Sequence, residues 1–347
     1  MSLSRVRGQG RALRLLRPLL ASRRLPPALL FFGPEGVGKA LAAGELAKAL
    51  NCLSPASDGD ACDRGLSRGS AALGESVGKA ADRGLSRGSA ALEGAVGKAA
   101  DACGSCSAAA KGIDPDLKRV NAAYQAGLRE EEAERQRTIR VDTVRHLVKD
   151  MEMTSLTGRW KVAVVEDAER LELEAANALL KSLEEPPPRT LWILVSARRD
   201  RLLPTIVSRC HRVPFGALSA PDVAAVLRAA GAAPEEIRRL ARAAEGSPGR
   251  ALALRGLKAA DPEEWTGDAL APFRLAEALP RELHLARPIV EAHLRRIAWR
   301  LRDRGGPGHR GAAAGLRELA RLSTYLRSNA DPRLILTLAA LESERVP

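Results

Sequence analysis

Aromatic residues make up only 3% of this chain of 347 residues, and it contains no run of eighteen apolar residues. A membrane-spanning helix needs about 20 consecutive, mostly apolar residues, so none is predicted. The N-terminus also lacks the apolar core of a signal peptide. These absences favour a cytoplasmic protein that does not act on a membrane.

Cysteine is also rare, with five residues in the whole chain. In a reducing cytoplasm, so few thiols indicate a metal site or free thiols rather than a disulfide framework. Acidic residues are outnumbered as well, 42 against 55 basic ones, which gives a formal net charge of +13. This charge suits a partner that carries phosphates, such as DNA, or an acidic protein surface, and composition does not separate the two.

Residues 33–40, with the sequence GPEGVGKA, match the spacing of a phosphate-binding loop. The loop follows an apolar run at 29–32, predicted to be a buried strand, and precedes a helical pattern at 39–50. A chance glycine turn is the alternative. Ala40 stands where a Ser or Thr hydroxyl normally holds Mg²⁺, so the loop is predicted either to bind ATP without Mg²⁺ or only to keep its shape. Its candidate nucleotide-binding residues are Gly33, Gly36, Gly38, Lys39 and Ala40.

Two further apolar runs, at 161–165 and 190–196, are predicted to be strands. Because these strands alternate with helical patterns, the sequence is typical of a doubly wound parallel sheet. Beyond Phe215 the apolar spacing is purely helical, so the predicted fold is α/β followed by all-α. The predicted domains are a P-loop α/β domain at 1–215, a helical lid at 216–258 and a C-terminal helical domain at 259–347.

Residues 63–100 contain a tandem duplication, in which two copies of 19 residues agree at 16 positions. Their Gly, Ser, Ala and Arg content offers little to bury, so a disordered insertion is predicted. A polar run with four glutamates at 129–138 is predicted to be a solvated loop or helix end. Ordered structure is predicted to resume only at Ile139.

Five further segments carry more specific information than the loop alone. They are LPPALLFFGP at 25–34, IRV at 139–141, NALLKSLEEPP at 177–187, LPTIVSRC at 203–210 and GSPGRAL at 246–252. Together these segments resemble the clamp-loader branch of the AAA+ ATPases, and the resemblance covers most of the chain outside the duplication. It implies a AAA+ P-loop domain, a small helical lid and a C-terminal collar that holds a ring of subunits together.

The resemblance implies that Arg209 acts in a neighbouring subunit. In the family, the arginine of the SRC motif reaches the γ-phosphate of ATP held by the adjacent protomer, where its guanidinium stabilises the charge of phosphoryl transfer. The alternative is that Arg209 only pairs with a carboxylate of its own chain. Arg250 lies in the segment that resembles sensor 2 and is implied to belong to the degenerate nucleotide site.

The second acidic motif departs from that of an active family member. An active member has an Asp that binds Mg²⁺ followed by a Glu that orients the attacking water, whereas this chain has Glu166 followed by Asp167. The exchange displaces both sets of carboxylate oxygens, which removes much of the positioning advantage. The alternative is that the two acids simply end a strand and cap the following helix. Ala40 is an independent departure that also argues against ATP hydrolysis by this chain.

Residues 52–112 resemble the zinc module of the family. Cys103 and Cys106 match the middle of that module, and Cys52 matches its first ligand. The usual last cysteine is absent, which leaves Cys62 as the candidate for the fourth ligand. Four thiolates suffice for a tetrahedral Zn²⁺ site, and free thiols or a broken site is the alternative.

These observations predict a largely non-hydrolysing clamp-loader subunit that lends Arg209 to an ATPase neighbour. The resemblance implies a hetero-oligomer with ATPase subunits of the gamma/tau type and a delta-type subunit, acting on a sliding clamp and primed DNA. An active ATPase of the gamma/tau type is the alternative, and it requires a hydroxyl at position 40. An independent P-loop kinase or helicase is a remoter alternative.

Overall fold

In a computed structural model, the chain divides into two compact units, Met1–Leu252 and Ala253–Pro347. The duplication at 63–100, Cys62 and most of the polar run lie outside the described residues. The predicted lid boundary at 215 falls inside the first unit and stays a prediction. The structure describes residues 3, 5–53, 103–129, 138–157, 159–256, 271–277, 279, 283–305, 310–327 and 330–344.

A parallel sheet of five strands forms the centre of the first unit. The strands are β1 Ala28–Phe32, β2 Leu117–Val120, β3 Lys161–Val165, β4 Thr190–Ser196 and β5 His211–Pro214. They lie in the order β2-β3-β4-β1-β5, so β1, which leads into the glycine loop, is paired on both sides. Every residue of β3 and β4 is buried, as expected of parallel strands that are covered on both faces.

The helices that accompany the sheet have one apolar side. In the helix that precedes β3, Val144, Leu147 and Met151 are buried and recur at intervals of three and four residues, so they face the core together. Fully buried Trp192 of β4 belongs to the same cluster. The described helices between residues 10 and 256 are α1 Gly10–Ser22, α2 Lys39–Asn51, α3 Gly104–Ala110, α4 Ala122–Arg129, α5 Val141–Glu152, α6 Leu173–Glu184, α7 Pro204–Arg209, α8 Ala220–Ala229, α9 Pro234–Ala243 and α10 Pro248–Gly256.

All the regular secondary structure described in the second unit is helical. Leu294 and Leu301 of its longest helix pack with Leu322 and Leu336 of the two helices that follow. In the part of the chain that the structure describes, no helix has the length and apolar character needed to cross a bilayer. The helices of this unit are α11 Ala271–Glu277, α12 Leu283–Gly305, α13 Arg310–Arg327 and α14 Pro332–Glu344.

The predicted fold class, α/β followed by helices, is confirmed, and the three predicted strands are found within one residue of their predicted bounds. The prediction that order resumes at Ile139 was wrong, because α3, β2 and α4 lie between residues 104 and 129. The sequence patterns also missed β5. Both missed strands have four residues and include charged side chains, so neither forms the continuous apolar run of a central strand.

Candidate functional site

The glycine loop joins β1 to α2 and has the backbone shape of a phosphate cradle. Gly33, Gly36 and Gly38 have φ angles of 144°, 73° and 98°, which other residues rarely adopt. A Cβ atom at Gly33 would also lie 2.0 Å from the carbonyl oxygen of Phe215. The loop therefore requires glycine for its conformation and for its close contact with the chain that leaves β5.

Lys39, the first residue of α2, is buried and turns back onto its own loop. Its Nζ donates hydrogen bonds to the carbonyl oxygens of Gly33 at 2.7 Å and Pro34 at 2.6 Å. Burial lowers the pKa of Lys39 to about 8, although three nearby carboxylates, led by Glu169, act in the opposite direction. A phosphate would have to replace the two loop carbonyls as the partner of this amine.

The metal side of the site offers little to a Mg²⁺ ion. Ala40 contributes a methyl group in the first turn of α2. Glu166, directly after β3, accepts hydrogen bonds from Nη2 of Arg119 at 2.7 Å and from its Nε at 3.1 Å. The exposed side-chain fractions are 13% for Glu166 and 26% for Arg119. A guanidinium from the neighbouring strand therefore neutralises the carboxylate at the predicted metal position.

Asp167 is the residue predicted to stand where an active family member has the acid that orients the attacking water. Its φ angle of 50° is left-handed, and its Oδ2 lies 3.6 Å from Nε of Arg170. The side chain is 59% exposed. It makes no capping hydrogen bond to the described 3₁₀ turn Ala168–Arg170, so the alternative that it caps the next helix is not seen there. A short, exposed acid paired with a cation is poorly placed to orient a water molecule.

The segment that resembles sensor 2 packs directly on the glycine loop. The N–H of Gly249 donates to the carbonyl of Gly36 at 2.9 Å, and the hydroxyl of Ser247 donates to the carbonyl of Glu35 at 2.8 Å. Arg250 pairs with Glu245 at 3.0 Å. The structure thus brings the loop and the segment of Arg250 together, while the guanidinium is engaged by a carboxylate of its own segment.

Gln9 is a residue of this site that the sequence patterns did not reveal. Its buried Nε2 donates to the carbonyls of Gly216 at 2.8 Å and Val37 at 3.2 Å, and its Oε1 accepts from the N–H of Gly216 at 3.1 Å. The chain before α1 therefore ties the loop to the beginning of the next helical segment. The available signal was one glutamine between Gly8 and Gly10, ahead of an amphipathic helix.

Arg209 ends α7 at the surface of the first unit. Its guanidinium donates hydrogen bonds to the carboxylate of Glu184 and to the carbonyl of Thr205, the latter at 3.0 Å. The exposed side-chain fractions are 35% for Arg209 and 46% for Glu184. Arg209 therefore does pair with a carboxylate of its own chain, at the end of α6, as the alternative interpretation predicted. Its guanidinium is also partly exposed to solvent.

Three of the four candidate metal ligands lie together. The Sγ atoms of Cys52, Cys103 and Cys106 are within 4.8 Å of one another, and Cys62 lies outside the described residues. Burial, together with the two neighbouring thiols, raises the pKa of Cys106 well above its ordinary value. A divalent cation bound to the sulfurs would favour the thiolate forms. The donor set fits a thiophilic metal, and we call these three residues the thiol cluster.

Comparison with known proteins finds relatives among DNA polymerase III subunits. A family model for the DNA polymerase III delta subunit matches residues 84–219. The subunit delta' of Pseudomonas aeruginosa is 36% identical over 234 residues, which cover 66% of this chain and 56% of that protein. The subunit delta' of Bacillus subtilis is 30% identical over 207 residues, which cover 60% of this chain and 47% of that protein. The chain thus spans about half the length of the curated relatives it matches.

A solved structure shares the fold along almost the whole chain. The DNA polymerase III gamma subunit-related protein of Thermotoga maritima has a TM-score of 0.58 and 16% identity, and the match covers 96% of this chain and 99% of that one. This likeness, together with the parallel sheet and the glycine loop, shows a P-loop α/β fold followed by helices. In sequence, part of the chain is similar to DNA polymerase III subunits of the delta and delta' types.

Proposed function

We propose that this chain is a delta-prime clamp-loader subunit that hydrolyses little or no ATP itself. It works in the cytoplasm, in a hetero-oligomeric ring with ATPase subunits of the gamma/tau type and a delta-type subunit. The ring places a sliding clamp on primed DNA. The similarity of the chain to the two delta' subunits and to the family model supports this assignment.

The pairing of Glu166 with Arg119 carries the proposal that the chain does not hydrolyse ATP. In phosphoryl transfer, Mg²⁺ bridges the phosphates and neutralises developing charge, so a hydrolysing site needs an acid that is available to the metal. Here a guanidinium already lies 2.7 Å from that acid, and Ala40 supplies no hydroxyl. A Mg²⁺ ion would have to displace one mostly buried cation before it could bind.

We propose that Arg209 completes the nucleotide site of an adjacent ATPase subunit. It lies at the surface, and the carboxylate that it contacts is itself 46% exposed. Exposed ion pairs of this kind contribute about 0–1 kcal/mol, so replacing Glu184 by a phosphate of the neighbour costs little. The planar guanidinium can donate two parallel hydrogen bonds to a phosphate, which a lysine cannot do.

The C-terminal unit is proposed to join the collar of the ring. Leu334, Leu338 and Leu341 follow one face of α14 at intervals of four and three residues. Their exposed fractions are 57%, 42% and 38%. A row of exposed leucines on one helix is typical of a surface that another protein covers.

We also propose that the thiol cluster binds Zn²⁺, with Cys62 as the fourth ligand. Structural Zn²⁺ takes four thiolate or imidazole ligands in a tetrahedron. The three described sulfurs already lie within 4.8 Å of one another. A metal held by these residues would cross-link the end of α2 to the beginning of α3.

An active ATPase of the gamma/tau type is the second candidate. The DNA polymerase III subunit tau of Escherichia coli favours it, since that protein is 26% identical over 302 residues, which cover 84% of this chain and 38% of tau. Ala40 and the pair of Glu166 with Arg119 argue against it, because both remove ligands that an ATPase needs for Mg²⁺.

ATP turnover by the purified chain separates the two candidates. With Mg²⁺ and primed DNA, we expect no turnover above background, while a gamma/tau-type ATPase measured in parallel hydrolyses ATP. A Lys39→Met variant identifies contaminating ATPases, because their activity survives the substitution. Sustained hydrolysis by the wild-type chain that primed DNA stimulates and Lys39→Met abolishes would establish the ATPase and reject the non-hydrolysing subunit.

A further inference from the structure

One guanidinium joins the two segments that carry the thiol cluster. Nη1 of Arg159 donates to the carbonyl of Asn51 at 2.6 Å and to the hydroxyl of Ser105 at 2.9 Å. The hydroxyl of Ser105 donates in turn to the carbonyl of Asn51 at 2.8 Å. Asn51 directly precedes the first cysteine of the cluster, and Ser105 lies between the other two. Arg159 therefore contacts both of the chain segments that a bound metal would cross-link.

The side chain of Asn51 adds two further hydrogen bonds between the end of α2 and the chain just before β3. Its Nδ2 donates to the carbonyl of Trp160 at 2.8 Å, and its Oδ1 accepts from the N–H of Trp160 at 3.1 Å. The end of α2 is thus bonded to two successive residues just before β3. Asn51 is 2% exposed, so these hydrogen bonds are shielded from water.

The backbone of Arg159 continues the network into the loop that follows α5, residues 153–157. Its N–H donates to the hydroxyl of Ser155 at 3.0 Å, and that hydroxyl donates to Asp116 at 2.8 Å. Asp116 also accepts from the N–H groups of Leu156 at 3.0 Å and Thr157 at 2.9 Å. Burial alone would raise the pKa of Asp116, but a hydrogen bond from the hydroxyl of Thr157, together with the three above, outweighs it and holds the pKa below its ordinary value.

The loop at 153–157 presents apolar side chains on a fixed backbone. Met153 is 66% exposed and Leu156 is 80% exposed. The carbonyl of Met153 accepts a hydrogen bond from Nζ of Lys161 at 2.8 Å, so both ends of the loop are bonded to the rest of the unit. The order of this loop therefore depends on polar contacts rather than on burial of its own side chains.

We propose that Arg159 is a positioning residue of the thiol cluster, and that a thiophilic divalent cation bound there orders the 153–157 loop through it. The inference rests on the metal site proposed above. A bound metal would fix the distance between the segments of Asn51 and Ser105, and the carbonyl of Asn51 and the hydroxyl of Ser105 would then hold the guanidinium in one place. The N–H of the same residue holds Ser155, so the restraint passes to Asp116. Groups that orient metal ligands typically change metal affinity by 10–100-fold when they are replaced.

Cobalt substitution and hydrogen exchange on the full chain test this coupling. Co²⁺ replaces Zn²⁺ as the probe, since thiolate ligands give it charge-transfer absorption and tetrahedral d–d bands. We expect the metal to slow amide exchange at Leu156 and Thr157 by about tenfold relative to the chelated protein. Arg159→Met should weaken Co²⁺ binding by about tenfold and abolish this slowing. Arg145→Met, an exposed arginine on α5, is the matched control and should behave as the wild type.

Three outcomes overturn parts of the proposal separately. If the wild-type chain shows no thiolate-to-Co²⁺ bands, the metal site and the coupling both fall. If the bands appear but exchange at residues 156–157 does not depend on the metal, only the coupling falls. If Arg159→Met binds Co²⁺ as tightly as Arg145→Met does, Arg159 has no positioning role. None of these results changes the ATP turnover on which the proposed clamp-loader role depends.

Discussion

The glycine loop and the end of α7 differ in what they retain of the ATPase site proposed above. The loop keeps the backbone of a phosphate cradle, but Ala40 and the neutralised Glu166 deprive it of metal ligands. Arg209 lies partly exposed at the surface, and its guanidinium is the cation that we propose acts in a neighbouring subunit. Gly33 is needed for the fold, because only a glycine allows the close contact with Phe215. A hydroxyl at position 40 would be needed only to bind the metal, so its absence leaves the loop conformation unchanged. Fold and chemistry can therefore be lost independently within one site.

Replacing Arg209 gives the largest effect that this comparison predicts. In a reconstituted clamp loader, Arg209→Ala should lower DNA-stimulated ATP turnover by the neighbouring subunit on the order of 10³-fold, because the charge of the transition state loses its cation. Steady-state turnover at saturating ATP measures it. Arg145→Ala is the control for loss of one exposed arginine. Turnover that stays unchanged in a complex of normal size would remove the trans-acting role.

Replacing Glu184 tests whether its ion pair with Arg209 is needed for ATP turnover. If the carboxylate only holds Arg209 until a partner binds, Glu184→Gln should leave turnover by the complex at or above the wild-type level. A loss as large as that of Arg209→Ala would instead show that the ion pair with Glu184 is the function of the arginine.

A side chain at Gly33 should break the loop while leaving the chemistry of Arg209 in place. Gly33→Ala forces a Cβ to 2.0 Å from the carbonyl of Phe215 at a φ angle of 144°. We expect a loss of about 3 kcal/mol or more in the free energy of unfolding by urea. Gly44→Ala, inside α2 with open space around its Cβ, should be neutral or stabilise by about 0.5–1 kcal/mol. Equal effects of the two substitutions would contradict the structural role of the loop.

Arg119→Met tests whether the metal position is neutralised from within. The substitution leaves the carboxylate of Glu166 mostly buried without this cation, so we expect a loss of about 1–3 kcal/mol in the free energy of unfolding. The double variant Arg119→Met with Glu166→Gln should recover most of that loss, which a double-mutant cycle measures. Millimolar Mg²⁺ should stabilise the single variant more than the wild type. Losses that simply add in the cycle would show that the two groups do not interact.

The sequence allowed prediction of the features that depend on local patterns. The strands at 161–165 and 190–196 were predictable because each contains an uninterrupted run of apolar residues, and the loop because glycine spacing defines its backbone. The pair of Arg119 with Glu166 was not, because it depends on the register of β2, in which Arg119 lies opposite Val164. The contacts of Gln9 with Gly216 join residues 207 positions apart, and no local pattern encodes them.

Titration of Lys39 gives the smallest effect and tests whether the loop is closed on this amine. In the folded protein burial lowers its pKa to about 8, whereas in the unfolded chain it stays near 10.5. Between these values the unfolded chain binds more protons, so the free energy of unfolding should rise with pH. From pH 8 to 9 the rise should be about 1 kcal/mol relative to Lys39→Met, measured by urea unfolding at each pH. A difference between the two proteins that does not change with pH would mean that the amine is hydrated, and that the cradle is open to phosphate after all.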